Sequence, residues 1–240
     1  ITGMIMMIFV LSCEADDPMS FYGGGELVER VEEAWSVFRD GDFDGSLAIF
    51  NSALIDAESI MLEDSNANLI RSTLGDIHTG IGWCNLRLLH AETAREHFII
   101  SQGYELYSFG TSVGLMTAYY ELGTGFPIDS TVVDSAIQIG HWIFSSGMPE
   151  EFEYNQSINV DDVRLLMAKS YFSKGDLSDN DTEKAGALYW ILQLDPEYVY
   201  LDAADPFTWN LYDNGEQDYD SFGEAILMII LELEKDVFPA

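Results

Sequence analysis

Apolar residues in this chain recur at three- and four-residue steps, a spacing that restricts it to helices buried along one face. Val28, Val31, Trp35 and Phe38 mark one stripe, and Leu47, Phe50 and Leu54 mark a second after a break at Asp40-Gly41. Stripes of this period lie on one side of an α-helix, and the acidic-glycine break is a turn signal, so residues 28–54 predict a helical hairpin. The period-two alternation of strands is almost absent. The expected fold class is all-α.

The hairpin recurs. Ala34-Trp35-Ser36-Val37-Phe38-Arg39 is matched by Gly82-Trp83-Cys84-Asn85-Leu86-Arg87, each a small residue, Trp, two variable positions, a large apolar residue and Arg. Each is followed by a turn and a second helix, where Ser46, Phe50 and Ala53 correspond to Ala94, Phe98 and Ser101 in spacing. Ala118 to Gly123 and Ala168 to Asp176 predict two further first helices with their turns. The last is followed by a second helix from Thr182 to Leu194 and then Asp195-Pro196.

This pattern resembles the tetratricopeptide repeat family, whose unit is a helix–turn–helix with small residues at the crossing, an aromatic in the second helix and often a terminal proline. Ala34, Gly82 and Ala168 stand at the small position, Gly41-Asp42-Phe43 and Gly175-Asp176 at the turn, Phe50 and Phe98 at the aromatic, and Pro196 at the end. The resemblance covers residues 26–196 and is degenerate. Trp35 and Trp83 lie 48 residues apart, against a family period of about 34. Segments 57–70, 124–130 and 177–181 read as insertions, and the third unit has Gly140 near the aromatic position. The implied architecture is a stack of antiparallel helical hairpins, a degenerate α-solenoid. Residues 197–240 would add an acidic aromatic loop and a capping helix opened by Ser221 and Glu224. Ala225 to Leu231 is apolar on every side, which predicts burial all round.

Ahead of the helices, Met4 to Leu11 is a short uncharged apolar run ending in Val10-Leu11-Ser12-Cys13. It is too short to span a bilayer as a mature helix and resembles the signal peptide of bacterial lipoproteins, in which the cysteine is acylated. That resemblance implies a signal peptide over 1–12, a lipidated Cys13 with a flexible acidic tether over 13–25, and a place in the cell envelope at the outer membrane. Cys84, the only other cysteine, sits in an apolar helical stretch and is expected in the core.

The charge balance limits the partners. Forty-two acidic residues face ten basic ones, a net charge of −32, while the charged fraction is an ordinary 22%. Such a surface repels nucleic-acid phosphates and anionic headgroups. It suits a cationic partner or a saline habitat, and the deficit of Lys (four) against Asp (twenty-two) fits the second as well as the first.

Motifs for catalysis or metal binding are not found. Asp40-Gly41-Asp42-Phe43-Asp44-Gly45 opens like a calcium loop but has Asn51 where a bidentate Glu belongs, and Asp213-Asn214-Gly215-Glu216 is another acidic cluster built on a turn signal. His78, His90, His97 and His141 have no ligand spacing, and no phosphate loop or nucleophile motif is present. No metal or other cofactor is expected, and no catalytic residue. The best functional candidates are Trp35 with Arg39 and Trp83 with Arg87, each pair on one helix face at i,i+4, joined by Lys169. In the resembling family first helices line a concave groove for peptides, which implies a protein or peptide partner held by these residues. The opposing expectation is that both Trp are core. Two other readings remain: a glycan-binding lipoprotein beside an outer-membrane importer, with Trp209 and Tyr212 as sugar platform, and a hydrolase using a carboxylate pair.

Overall fold

The computed structural model describes residues 24–63, 68–104, 108–147, 151–152, 155–209 and 219–237. The signal peptide, Cys13, most of the tether, Tyr212 and the 213–218 cluster lie outside them. The chain forms α1 (Gly24–Arg39), α2 (Phe43–Glu63), α3 (Asn68–Arg87), α4 (Ala91–Tyr104), α5 (Phe109–Thr124) and α6 (Ser130–Ser146). A small hairpin follows, β1 (Glu151–Phe152) with β2 (Asn155–Asn159), then α7 (Val160–Ser173) and α8 (Ala187–Leu194). Two 3-10 turns, Pro196–Tyr200 and Pro206–Thr208, lead to α9 (Phe222–Val237). The protein is predominantly helical, and neighbouring helices pack in chain order.

Local chemistry sets the helix ends. Asp42 caps α2 by accepting from the Gly45 N–H at 2.9 Å, Asp129 caps α6, and Asn159 opens α7 in a reciprocal capping box with Asp162. The ends of α1, α3 and α7 are alike. Gly41, Leu89 and Gly175 take positive φ of 85°, 63° and 79°, and in each the next residue's N–H reaches the carbonyl five residues back. This is the Schellman closure. Glycine meets its backbone demand twice and leucine once.

The helices sort into two layers. α1, α3, α5 and α7 touch one another in succession as well as their chain neighbours. Small residues allow this: Ala34, Ala118 and Ala168 are fully buried, and Gly80, Gly82, Gly110 and Gly114 have aromatic rings directly against their backbone. Phe50 rests on Gly80, and Phe98 on both Gly82 and Gly114. The Ser46 hydroxyl donates to the Ala34 carbonyl at 2.8 Å, and Thr79, Ser101 and Thr111 form a buried hydroxyl cluster across α3, α4 and α5. His78 and His97 meet Nδ1 to Nδ1 at 2.9 Å, and burial first, then the neighbouring imidazole, lowers His78 to about 4. Cys84 is fully buried, and that burial raises its thiol to about 11.

The 57–70 segment that reads as an insertion is largely helix, continuing α2 to Glu63 and starting α3 at Asn68. Two expectations are corrected. The second helix after α7 starts at Ala187 rather than Thr182, because Asn180 and Ala185 pair as an isolated bridge and hold the intervening residues in a turn. α9 is not buried all round: it packs on α7 and α8, leaving Leu227 and Leu231 38% and 41% exposed.

Within this mostly helical fold a short antiparallel hairpin lies between α6 and α7 in the chain. It is held by anchors rather than by alternating apolar residues. Phe152 packs edge-on to Trp35 of α1 at 5.5 Å and stacks on Trp83 of α3 at 5.8 Å. Its ring also sits so close to α5 that a Cβ at Gly110 would fall 2.0 Å from it. Gly110→Ala should therefore destabilise the fold by about 1–3 kcal/mol through overpacking, and Phe152→Ala by about 3–5 kcal/mol through the cavity it leaves. Urea denaturation of the two variants checks this; a neutral Gly110→Ala would mean the ring is not seated there.

Candidate functional site

A cavity of about 480 Å³ opens beside the hairpin. Trp83, Leu86 and Arg87 face it from the last turns of α3, with Leu89 at the rim and Ala91 opening α4. Val113, Thr117, Tyr120 and Glu121 line it from one stripe of α5, and Asp162, Leu165, Leu166 and Lys169 from one stripe of α7. Ile158 of β2 and Glu234 of α9 complete the wall.

Three of the five residues singled out from the sequence meet here: Trp83, Arg87 and Lys169. The other two do not. Trp35 is fully buried among Phe38, Phe50 and Phe152, because the hairpin's phenylalanine seals the side of α1 that would otherwise be open. Arg39 is exposed at the end of α1 and does not line the cavity. Trp83 touches the same Phe152, but its other side borders the cavity, and its indole N–H donates to the Gly110 carbonyl at 3.1 Å.

The charges of the site are unevenly paired. Lys169 bonds Glu234 at 2.9 Å and lies 5.3 Å from the centre of the Tyr120 ring, tying α7 to α9 and α5. Burial raises the Tyr120 pKa, partly offset by the Lys169 charge. Arg30, Arg95, Arg164 and Lys174 also carry ion pairs, whereas Arg87 forms none among the described residues. Its guanidinium lies 6.0 Å from the Phe43 ring. Although Arg87 keeps much of its solvent exposure, partial desolvation lowers its pKa, and the Asp162 charge opposes that.

Asp162 is the residue that sequence reasoning missed. It is 5% exposed; Oδ2 accepts from the Asn159 N–H at 2.6 Å, while Oδ1 has no hydrogen-bond partner among the described residues. Burial raises its pKa to about 6, with Asp161 adding and the Asn159 N–H and Arg87 opposing. The Asn-x-x-Asp spacing from 159 to 162 signals a helix cap, which it is. Nothing in that spacing signals the cavity.

Among the described residues no group of three His, Cys, Asp or Glu is placed to hold a metal ion, and no helix is long and apolar enough to cross a membrane. Asp42 and Gly45 of the calcium-like motif are engaged in capping α2. Trp209 is half-buried 6.3 Å from Phe222, with its indole N–H donated to the Asp202 carbonyl at 2.8 Å. No family model matches the chain, no curated protein matches it, and no solved structure matches it.

The raised Asp162 pKa has a definite sign. Below about pH 4 the carboxyl is protonated in folded and unfolded chains alike. Between the ordinary 3.8 and about 6 the unfolded chain ionises while the folded one keeps its proton, so stability falls as pH rises through that window. Asp162→Asn retains an acceptor for the Asn159 N–H and removes the ionisation. The variant should gain on the wild type by about 2–3 kcal/mol between pH 4 and pH 7. Chemical denaturation across that range checks it; a constant difference would place the titration elsewhere.

Proposed function

We propose that this chain is a non-catalytic binding scaffold of the bacterial cell envelope, a tetratricopeptide-like α-solenoid tethered through a lipidated Cys13. Its partner is a protein or peptide segment received on the concave face formed by α1, α3, α5 and α7. One observation carries the reading: Trp83, Arg87 and Lys169, from two helices more than seventy residues apart in sequence, border the same cavity. A large aromatic beside a guanidinium is the usual composition of an energetic anchor point. The order of helix packing also supports it, since first helices that touch in succession are what a stacked repeat requires.

The glycan reading loses support from Trp209, whose ring and N–H are engaged within the chain. The hydrolase reading would have to use Asp162 and Glu121, since Glu234, the third carboxylate of the cavity, is paired with Lys169.

The test is capture from detergent-solubilised host envelope by the immobilised full chain. Arg87→Glu should reduce retention of a specific partner at least about tenfold, the loss of one charge-assisted contact. Arg39→Glu, outside the cavity, should leave retention unchanged. Equal loss with both, or none with either, would remove the cavity from the binding face. Cys13→Ser should move the protein from the membrane to the soluble fraction and abolish incorporation of labelled palmitate.

A further inference from the structure

The cavity contains two opposite charges that the fold leaves incompletely used. Arg87 carries no ion pair among the described residues, in a chain where acidic residues outnumber basic ones by forty-two to ten. Five other basic side chains have found a carboxylate, so an unpaired guanidinium bordering a cavity is not for want of acids nearby. Across the same cavity, Asp162 is buried, and one of its carboxyl oxygens has no bond among the described residues. The two side chains feel each other's charge without forming an ion pair. Of the two, Asp162 Oδ1 is the buried acceptor that the fold leaves unsatisfied among the described residues.

The rim carries a third irregularity. Leu89 holds φ +63° at the turn position where the equivalent ends of α1 and α7 use Gly41 and Gly175. It is also 89% exposed. A leucine there has the wrong backbone preference for a turn position that its equivalents fill with glycine. Its position at the mouth of a cavity walled by Trp83, Leu86, Leu165 and Leu166 supplies a use: it extends the apolar wall over whatever enters.

We propose that this cavity binds a small amphoteric ligand, one with a carboxylate and an ammonium on an apolar body, placed with the carboxylate on Arg87, the ammonium on Asp162 and the body against Trp83 and Leu89. Free apolar amino acids and short apolar peptides share this chemistry. A volume of about 480 Å³ lies in the ordinary range of small-ligand sites. A planar guanidinium suits a carboxylate, and a buried carboxyl with a spare oxygen suits an ammonium donor. The inference rests on the binding reading above and names the occupant of its cavity.

The test is calorimetric titration of the full chain in detergent with leucine, dileucine, N-acetyl-dileucine and dileucinamide. Dileucine or leucine should bind, and the tighter of the two identifies the source. Each blocked peptide should bind at least about tenfold more weakly than dileucine, having lost one charge-assisted contact. Arg87→Gln should then abolish the discrimination against dileucinamide while keeping that against N-acetyl-dileucine, and Asp162→Asn should do the reverse. Leu89→Gly should weaken all four compounds alike, with thermal melts establishing that each variant is folded.

Equal binding of blocked and free peptides would overturn the proposal. So would binding of none, or variants that lose both discriminations together. If none binds while envelope capture still depends on Arg87, this inference falls and the scaffold reading stands. If dileucine binds with the expected discriminations while capture fails, the amphoteric ligand stands and the scaffold reading falls.

Discussion

Four glycines of the inner helices carry aromatic rings directly on their backbone. Phe50 rests on Gly80, Phe98 on Gly82 and Gly114, and Phe152 on Gly110, and a Cβ at any of them would fall between 2.0 and 2.6 Å from a ring carbon. A glycine inside a helix is unfavourable by roughly 0.5–1 kcal/mol against alanine, whereas burying a phenylalanine contributes about 1.5–3 kcal/mol. The packing term wins, and it also fixes geometry. Because Phe98 touches both Gly82 and Gly114, one ring from α4 sets how closely α3 and α5 approach. The cavity walls on those two helices inherit that spacing. At the third unit, where Gly140 replaces the aromatic, Met167 and Met116 fill the place instead. Unbranched thioether side chains adapt to a gap that a ring would have specified.

Phe152 determines which part of the inner layer is open. By occupying the space between Trp35, Trp83 and Gly110 it converts the first unit's tryptophan into core and leaves the second unit's at the edge of a cavity. Repetition in the sequence therefore does not produce repetition of the site. Two tryptophans, each following a small residue and followed at i+4 by arginine, reach different ends because a side chain more than sixty residues away in the chain meets both.

That contact explains what was legible in the sequence and what was not. Helices, their turns at Gly41 and Gly175, the small crossing residues and the buried phenylalanines follow from local spacing, and the structure has them. Trp83, Arg87 and Lys169 could be named because they recur at equivalent places, but repeat equivalence gave no reason to prefer Arg87 over Arg39. The exposed face of α9 escaped because an all-apolar run does not say how many neighbours it will have; α7 and α8 cover only part of it. The start of α8 escaped because a bridge between Asn180 and Ala185 is a tertiary choice overriding helix-compatible residues. Leu89 was invisible as an anomaly until φ placed it beside Gly41 and Gly175.

Asp162 joins the fold to the site. Its Oδ2 closes the capping box that starts α7 at the end of β2, and the helix N-terminus favours its charged form. Burial opposes that more strongly, which is why its pKa rises although three favourable influences, the Asn159 N–H, its own backbone N–H and Arg87, act on it. The carboxyl's pKa is thus set at about 6 by influences that belong partly to the helix and partly to the cavity. A donor reaching Oδ1 would favour the charged form and so strengthen the Oδ2 bond that closes the cap. A ligand of the kind proposed, bound to the folded carboxylate, would by the same linkage stabilise the β2–α7 junction and with it the hairpin that carries Phe152.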